Sequence, residues 1–196
     1  VGTIGAAVND DAQLIEQTLA GDRGAFGELV RKYQGRLFNT LWHVVGSREE
    51  AEDVAQEAFV QAFVKLDSFQ GRSAFYTWLY RIAFNVSVSR RRQQRPEVSM
   101  EQYRQRTGEE PEAAEEGPSA QLVRAERVRL VRAAIDALHE DHRMVLVLRE
   151  MEGCDYQTIA EILDLPLGTV RSRLHRARLQ VREQLKEVLQ GNVTER

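Results

Sequence analysis

One cysteine, Cys154, occurs in 196 residues, so no intramolecular disulfide can form and a reducing compartment is expected. No apolar run approaches the roughly 20 residues that a membrane span needs. The N-terminus has no basic segment followed by an apolar core, so neither a span nor a signal peptide is expected. No glycine-rich phosphate loop and no nucleophile motif is present, which argues against an enzyme and against a cofactor. His139-Glu140-Asp141-His142 with Cys154 has no spacing that suits a metal ion. The two histidines are expected in a polar turn between helices, Cys154 as a small buried or half-buried residue, and His43, beside Trp42, as structural. Strand-like alternation is missing throughout. Together these absences predict an all-α protein of the cytoplasm.

Acidic excess is also missing where it first appears to be. The net charge is −3, which suits a nucleic-acid partner poorly. Residues 1–95 nevertheless hold 12 basic and 11 acidic groups, and residues 120–196 hold 13 and 12. Residues 96–119 hold 2 and 7, so the whole excess sits in the middle. Two windows at the ends contain no acid: 68–96, with Arg72, Arg81, Arg90, Arg91, Arg92 and Arg95, and 165–182. Where charge lies, not its total, decides where a polyanion docks.

Helical periodicity fills both ends. The first helix is expected from about Asp11 to Leu19. A second, from Asp22 to Gly46, carries Phe26, Leu29, Val30, Tyr33, Leu37, Leu41 and Val45 on one stripe. Ser47-Arg48-Glu49-Glu50 reads as a capping box. It opens a helix with Ala51, Val54, Ala55, Ala58, Phe59, Ala62 and Leu66 inward and Asp53, Gln56, Glu57 and Gln61 outward. Ser73 is expected to cap a fourth helix that runs to about Arg91. Residues 96–119 hold three of the four prolines and five glutamates between 109 and 116, a composition that cannot bury a core. We therefore expect two small helical domains, 1–95 and 120–196, joined by a flexible acidic linker, 96–119.

Two stretches carry the functional signal. Residues 155–182, DYQTIAEILDLPLGTVRSRLHRARLQVR, read as helix, turn, helix. Asp155 caps the first helix, with Ile159, Ala160 and Leu163 inward, and Pro166 blocks its continuation. Gly168-Thr169 starts the second, where Val170, Leu174, Ala177 and Val181 face inward. Arg171, Ser172, His175 and Arg176 fall on the other side, which suits a major groove. Residues 67–92 join aromatics to an acid-free basic run. Phe75, Leu79, Ile82 and Val86 are expected in the core, which leaves Tyr76, Tyr80 and Phe84 on a second side and Trp78, Arg81 and Asn85 near a third. Aromatics beside arginines suit a single strand, since bases stack on rings. The loop 67–73, turning at Gly71, has room for an extruded base.

These residues resemble the extracytoplasmic-function sigma factors of bacterial RNA polymerase, near the sigma-E-like branch. DVAQEAFVQAFVKLDSF (53–69) looks like that family's region 2.2, SAFYTWLYRIAFN (73–85) like its regions 2.3 and 2.4, and LREMEGCDYQTIAEILDLPLGTVRSRLHRAR (148–178) like its region 4.2. The resemblance implies that Asp53, Gln56, Glu57 and Gln61 bind core RNA polymerase. It implies −10 contacts from Phe69, Arg72, Ser73, Ala74, Phe75, Trp78, Arg81 and Asn85. Contacts with the −35 element would come from Thr169, Arg171, Ser172, His175 and Arg176, with Arg173 and Arg178 nearer the phosphates. An anti-sigma factor is a further implied partner. The competing reading is a stand-alone helix-turn-helix regulator, which explains 155–182 and leaves 67–92 without a task.

Overall fold

The computed structural model describes residues 4–94 and 118–191. Eight α-helices and one short 3-10 turn make up these residues. The first bundle contains α1 (Ile4–Leu19), α2 (Arg23–Val45), α3 (Arg48–Val64), the turn Leu66–Ser68 and α4 (Phe75–Gln94). The second contains α5 (Pro118–Asp136), α6 (Glu140–Glu150), α7 (Tyr156–Leu163) and α8 (Leu167–Gly191). The acidic segment expected as a linker lies outside the described residues except for Pro118 and Ser119. These two open α5, where a proline's missing N–H costs nothing.

Local chemistry sets most boundaries. Asp22 caps α2 by accepting from the Gly24 amide, and Gly46 ends it in the left-handed region at φ 78°. Ser47 caps α3 by accepting from the Glu50 amide, so one half of the expected capping box forms. Ser73 is not the cap of α4. The helix begins at Phe75, and the Ala74 carbonyl accepts from the Thr77 and Trp78 amides. The His139 ring accepts from the Asp141 amide and caps α6, so it stands between helices, whereas His142 lies within α6 with its Nδ1 3.0 Å from Gln180 Oε1 of α8. Among the described residues no group of three His, Cys, Asp or Glu could hold a metal ion. No helix there is long and apolar enough to cross a membrane.

The core of the first bundle follows the stripes read from the sequence. Leu29, Leu37, Leu41, Ala51, Val54, Ala58, Ala62, Leu79 and Ala83 are fully buried. One expectation fails in an informative way. Tyr80 is 0% exposed and Phe84 2%, so the second aromatic side of α4 is not a free stacking platform. It is covered from two directions, by α2 of the same bundle and by α7 of the second. The Tyr80 hydroxyl lies 3.0 Å from that of Thr40 on α2, and the Arg36 guanidinium stands 5.3 Å over the half-buried Tyr76 ring.

Polar contacts cross the seam between the bundles beside one continuous apolar cluster drawn from both. Arg36 Nε donates to Glu152 Oε2 at 2.5 Å, and the Thr40 hydroxyl donates to Glu152 Oε1 at 2.5 Å. Arg143 of α6 donates to the Val44 carbonyl at 3.0 Å. Arg91 of α4 pairs with Glu140 at 2.7 Å, and Arg132 of α5 stacks on Trp42 at 3.7 Å. His43 sits half-buried beside this stack, its ring 5.8 Å from that of Trp42. Burial, then the nearby Arg132 charge, depresses its pKa. A depressed imidazole stabilises the fold above its unfolded value of about 6.5 and loses that contribution as pH falls below it. Urea midpoints of the native chain and of His43→Gln should therefore diverge between about pH 7 and 5. The native chain should lose the more stability; parallel curves would show that His43 does not contribute.

Candidate nucleic-acid and polymerase interface

The helix-turn-helix is built by its caps. Asp155 Oδ1 accepts from the Thr158 amide at 2.7 Å and starts α7. Asp164 ends it in the left-handed region at φ 53°, a conformation that Asp tolerates better than most side chains. Leu165 and Pro166 then turn the chain, and the Pro166 carbonyl accepts from the Thr169 and Val170 amides, so α8 begins at Leu167 rather than at Gly168. Ile159 and Ile162 are buried on α7, and Leu163 is only half-buried. The inward stripe thus runs through Ile162 instead of the terminal residue, where the helix is already turning away.

On α8, Val170, Leu174 and Ala177 are fully buried, while Arg171, Ser172, His175 and Arg176 are exposed. Thr169 is half-buried, and its carbonyl accepts from the Ser172 hydroxyl at 3.1 Å. The arginines divide into two groups. Arg173 Nη2 lies 2.8 Å from Asp141 of α6, and Arg178 Nη2 lies 2.5 Å from Glu150. The bond to Glu150 raises the Arg178 pKa. Both acids precede the helix-turn-helix, so the sequence windows alone did not reveal these pairings.

Around the 67–75 loop, Phe69 packs its ring 5.2 Å from Trp78 and 5.9 Å from Phe75. Gly71 turns the loop at φ 65°. Phe75 is 2% exposed and also packs 5.6 Å from Tyr33. It therefore supports the loop from below and cannot itself meet a base. Arg72, Arg81 and Asn85 are exposed, and Ser73, Ala74 and Trp78 are half-buried. Arg72, Ser73, Trp78 and Arg81 form one wall of a cleft of about 620 Å³. Its opposite wall is α7 and the turn after it: Gln157, Ala160, Glu161, Asp164, Leu165 and Pro166. Asn85 opens into a different cleft, shared with Glu57 and Gln61.

On α3, Asp53 and Gln56 are exposed, and Glu57 and Gln61 are half-buried. Arg90 of α4 lies 3.0 Å from Asp53 and 2.8 Å from Glu57. The bond to Glu57, then that to Asp53, raises its pKa. Gln61 donates to Glu57 at 3.1 Å. Sequence reasoning missed the apolar part of this face: Val60 is 58% exposed and Phe63 41%. With Phe26, Val30, Phe38 and Phe59 they line a groove of about 750 Å³. The signal was present in Phe59-Val60, Ala62-Phe63-Val64, which holds more apolar residues than one helix face can bury.

Comparison with known proteins accords with this layout. Residues 29–97 match the Sigma-70 region 2 family, and residues 129–181 match Sigma-70, region 4. The RNA polymerase sigma-H factor of Pseudomonas aeruginosa is 42% identical over 184 residues, covering 91% of this chain and 95% of that protein. The ECF RNA polymerase sigma-E factor of Escherichia coli K12 is 41% identical over 174 residues, covering 86% and 90%. The sigma factor RpoE of Bartonella quintana, solved in complex with the anti-sigma factor NepR, aligns with a TM-score of 0.63 at 27% identity, covering 82% of this chain and 96% of that one. Two region matches in order, with relatives this similar over nearly their full length, establish that the chain belongs to the extracytoplasmic-function sigma factors of RNA polymerase.

Proposed function

We propose that α8 reads the −35 duplex, that the 69–75 loop and α4 capture the −10 strand, and that α3 docks on core RNA polymerase. The observation that carries this reading is the division of α8. One face is fully buried at Val170, Leu174 and Ala177, and the opposite face offers Arg171, Ser172, His175 and Arg176 with no acid among them. Arg173 and Arg178, held by Asp141 and Glu150, set the angle of the helix and lie beside the phosphates. Phe69 and Trp78 form the rim on which an unstacked base rests, with Arg72 and Arg81 following the backbone. Ser73 and Ala74 leave room for that base, and Asn85 reads a neighbouring position.

Core polymerase meets Asp53, Gln56, Glu57 and Gln61 together with the exposed Val60 and Phe63. A polar rim around an apolar centre is the usual anatomy of a protein interface. The chain performs no covalent chemistry of its own. It works in the cytoplasm, where polymerase and promoter are, and an anti-sigma factor holds it until a signal arrives; the RpoE of Bartonella quintana was solved in complex with the anti-sigma factor NepR. Run-off transcription by core polymerase on a promoter selected from a random library tests the reading. Promoter-specific transcript should appear only when the protein is added. Tight duplex binding by the protein alone, without transcript, would favour the stand-alone regulator.

A further inference from the structure

We propose that Arg90 is a contact shared between the two tasks of the first bundle: Asp53 and Glu57 hold it in the free chain, and it passes to a phosphate of the −10 strand when core polymerase takes those carboxylates. The inference rests on the functional reading above, which sets Asp53 and Glu57 against polymerase and Asn85 against the strand.

Two rows of side chains meet here. On α3 and its C-cap, Asp53, Glu57, Gln61 and Lys65 recur at every fourth residue and so share one face. On α4, Arg81, Asn85, Ser89 and Gln93 do the same, and all four are exposed. The α4 row holds no acid and runs about 18 Å along the helix. It leads from the cleft beside Trp78 to a second, polar cleft of about 640 Å³. Glu57, Gln61 and Lys65 form one wall of this second cleft, and Asn85, Ser89 and Arg90 stand on the other. Every residue that lines it belongs to the first bundle. A strand that leaves the Phe69–Trp78 rim and passes Asn85 therefore comes alongside the row assigned to polymerase.

Hydrogen bonds tie the two rows together. Lys65 Nζ donates to Gln61 Oε1 at 3.3 Å, and Gln61 Nε2 donates to Glu57 Oε1 at 3.1 Å. Arg90 Nε donates to Glu57 Oε2 at 2.8 Å, and its Nη1 donates to Asp53 Oδ2 at 3.0 Å. Both Glu57 oxygens are thus engaged before any partner arrives. A polymerase surface that recognises two carboxylates must bring positive charge to them. That charge competes with Arg90 for the same oxygens. Arg90 and both acids are partly exposed, and pairs at the edge of water are weak enough to exchange. Once displaced, the guanidinium stands little more than one turn of α4 from Asn85. A strand phosphate there replaces the carboxylates, since both are anionic acceptors that suit the same planar fork.

Full-length native, Arg90→Gln and Arg90→Lys chains test the proposal. In titrations of labelled chain with core polymerase, Arg90→Gln should bind about threefold more tightly than native, because the internal competitor is gone. The holoenzymes are then titrated with a fluorescence-labelled single strand carrying the −10 strand of the selected promoter. Arg90→Gln should bind it about fivefold more weakly at one fixed salt concentration, and the slope of log affinity against log salt should flatten by about 0.7, the share of one single-strand phosphate. Arg90→Lys keeps the charge and should keep the slope. Duplex carrying the −35 element alone should bind all three holoenzymes equally. Weaker or unchanged core binding by Arg90→Gln would mean that Arg90 does not compete with polymerase. An unchanged slope would mean that it never meets the strand, and an equal loss on the −35 duplex would mean that its removal disturbs the whole protein. Any of these results overturns the proposal. Promoter-specific transcript from the native chain keeps the sigma reading intact in each case, and its absence would remove that reading instead.

Discussion

An Arg143→Ala variant should lose roughly 3–5 kcal/mol of folding stability, the largest cost expected of any single polar substitution in this chain. Arg143 is 6% exposed. Its guanidinium donates to the Asp136 carbonyl at 2.5 Å, to the Leu138 carbonyl at 3.0 Å and to the Val44 carbonyl at 3.0 Å. All three acceptors lie where a helix ends. Asp136 closes α5 and Leu138 follows it, and Val44 lies in the last turn of α2. The final carbonyls of a helix have no partner within it and carry the negative end of its dipole. One planar cation therefore caps two helix C-termini that belong to different bundles. Truncation leaves these carbonyls buried without this donor, and each such group costs about 1–3 kcal/mol. Lysine should recover only part of the loss, because an ammonium on a flexible stem cannot match a fork that spans two helix ends. Urea denaturation of native, Arg143→Ala and Arg143→Lys proteins gives the three stabilities. A loss below about 1 kcal/mol for the alanine variant would mean that water replaces the guanidinium at all three carbonyls.

Nothing in the sequence singles Arg143 out. DHRMVLVLRE reads as a short amphipathic helix with solvated charges at both ends, and its partners lie up to 99 positions away. Glu152 is equally hidden, since it bonds Arg36 across 116 positions. Periodicity reports which face of a helix turns inward, and it does so well where one face meets one core. It identified the buried stripes of α2, α3 and α8, whose buried apolar residues recur at helical spacing. On α4 the same logic went wrong. The helix is buried on two sides, and the second is covered by elements far along the chain. An aromatic side that looked surplus, Tyr80 and Phe84, was core for a neighbour the pattern could not show. The loop residues around Gly71 were legible for the opposite reason. Their backbone chemistry is local, and Gly71 adopts the left-handed turn that its lack of a side chain permits.

The recognition helix marks the same boundary between local and distant information, and it leads to the second large effect. Helical periodicity separates Arg171, Ser172, His175 and Arg176 from the buried stripe but cannot rank the arginines among themselves. Distances can. Arg173 and Arg178 are engaged by Asp141 and Glu150, whereas among the described residues no acid stands within ion-pair range of the exposed Arg176. A guanidinium already bound to a carboxylate is poorly placed to give two parallel bonds to a guanine edge; an uncommitted one is well placed. Arg176→Ala should therefore cost about 1–3 kcal/mol, roughly 5- to 150-fold, at one base pair of the −35 element and leave the other positions unchanged. Arg173→Ala should behave differently. Its partner pair is half-buried at the surface, so stability should fall by no more than about 1 kcal/mol, and binding should weaken evenly across −35 sequences. Binding of polymerase holoenzyme to a panel of single-base −35 variants, measured at one fixed salt concentration, separates the two patterns. If Arg176→Ala weakens every variant equally, its contact is with phosphate, and the base reading passes to Arg171, Ser172 and His175.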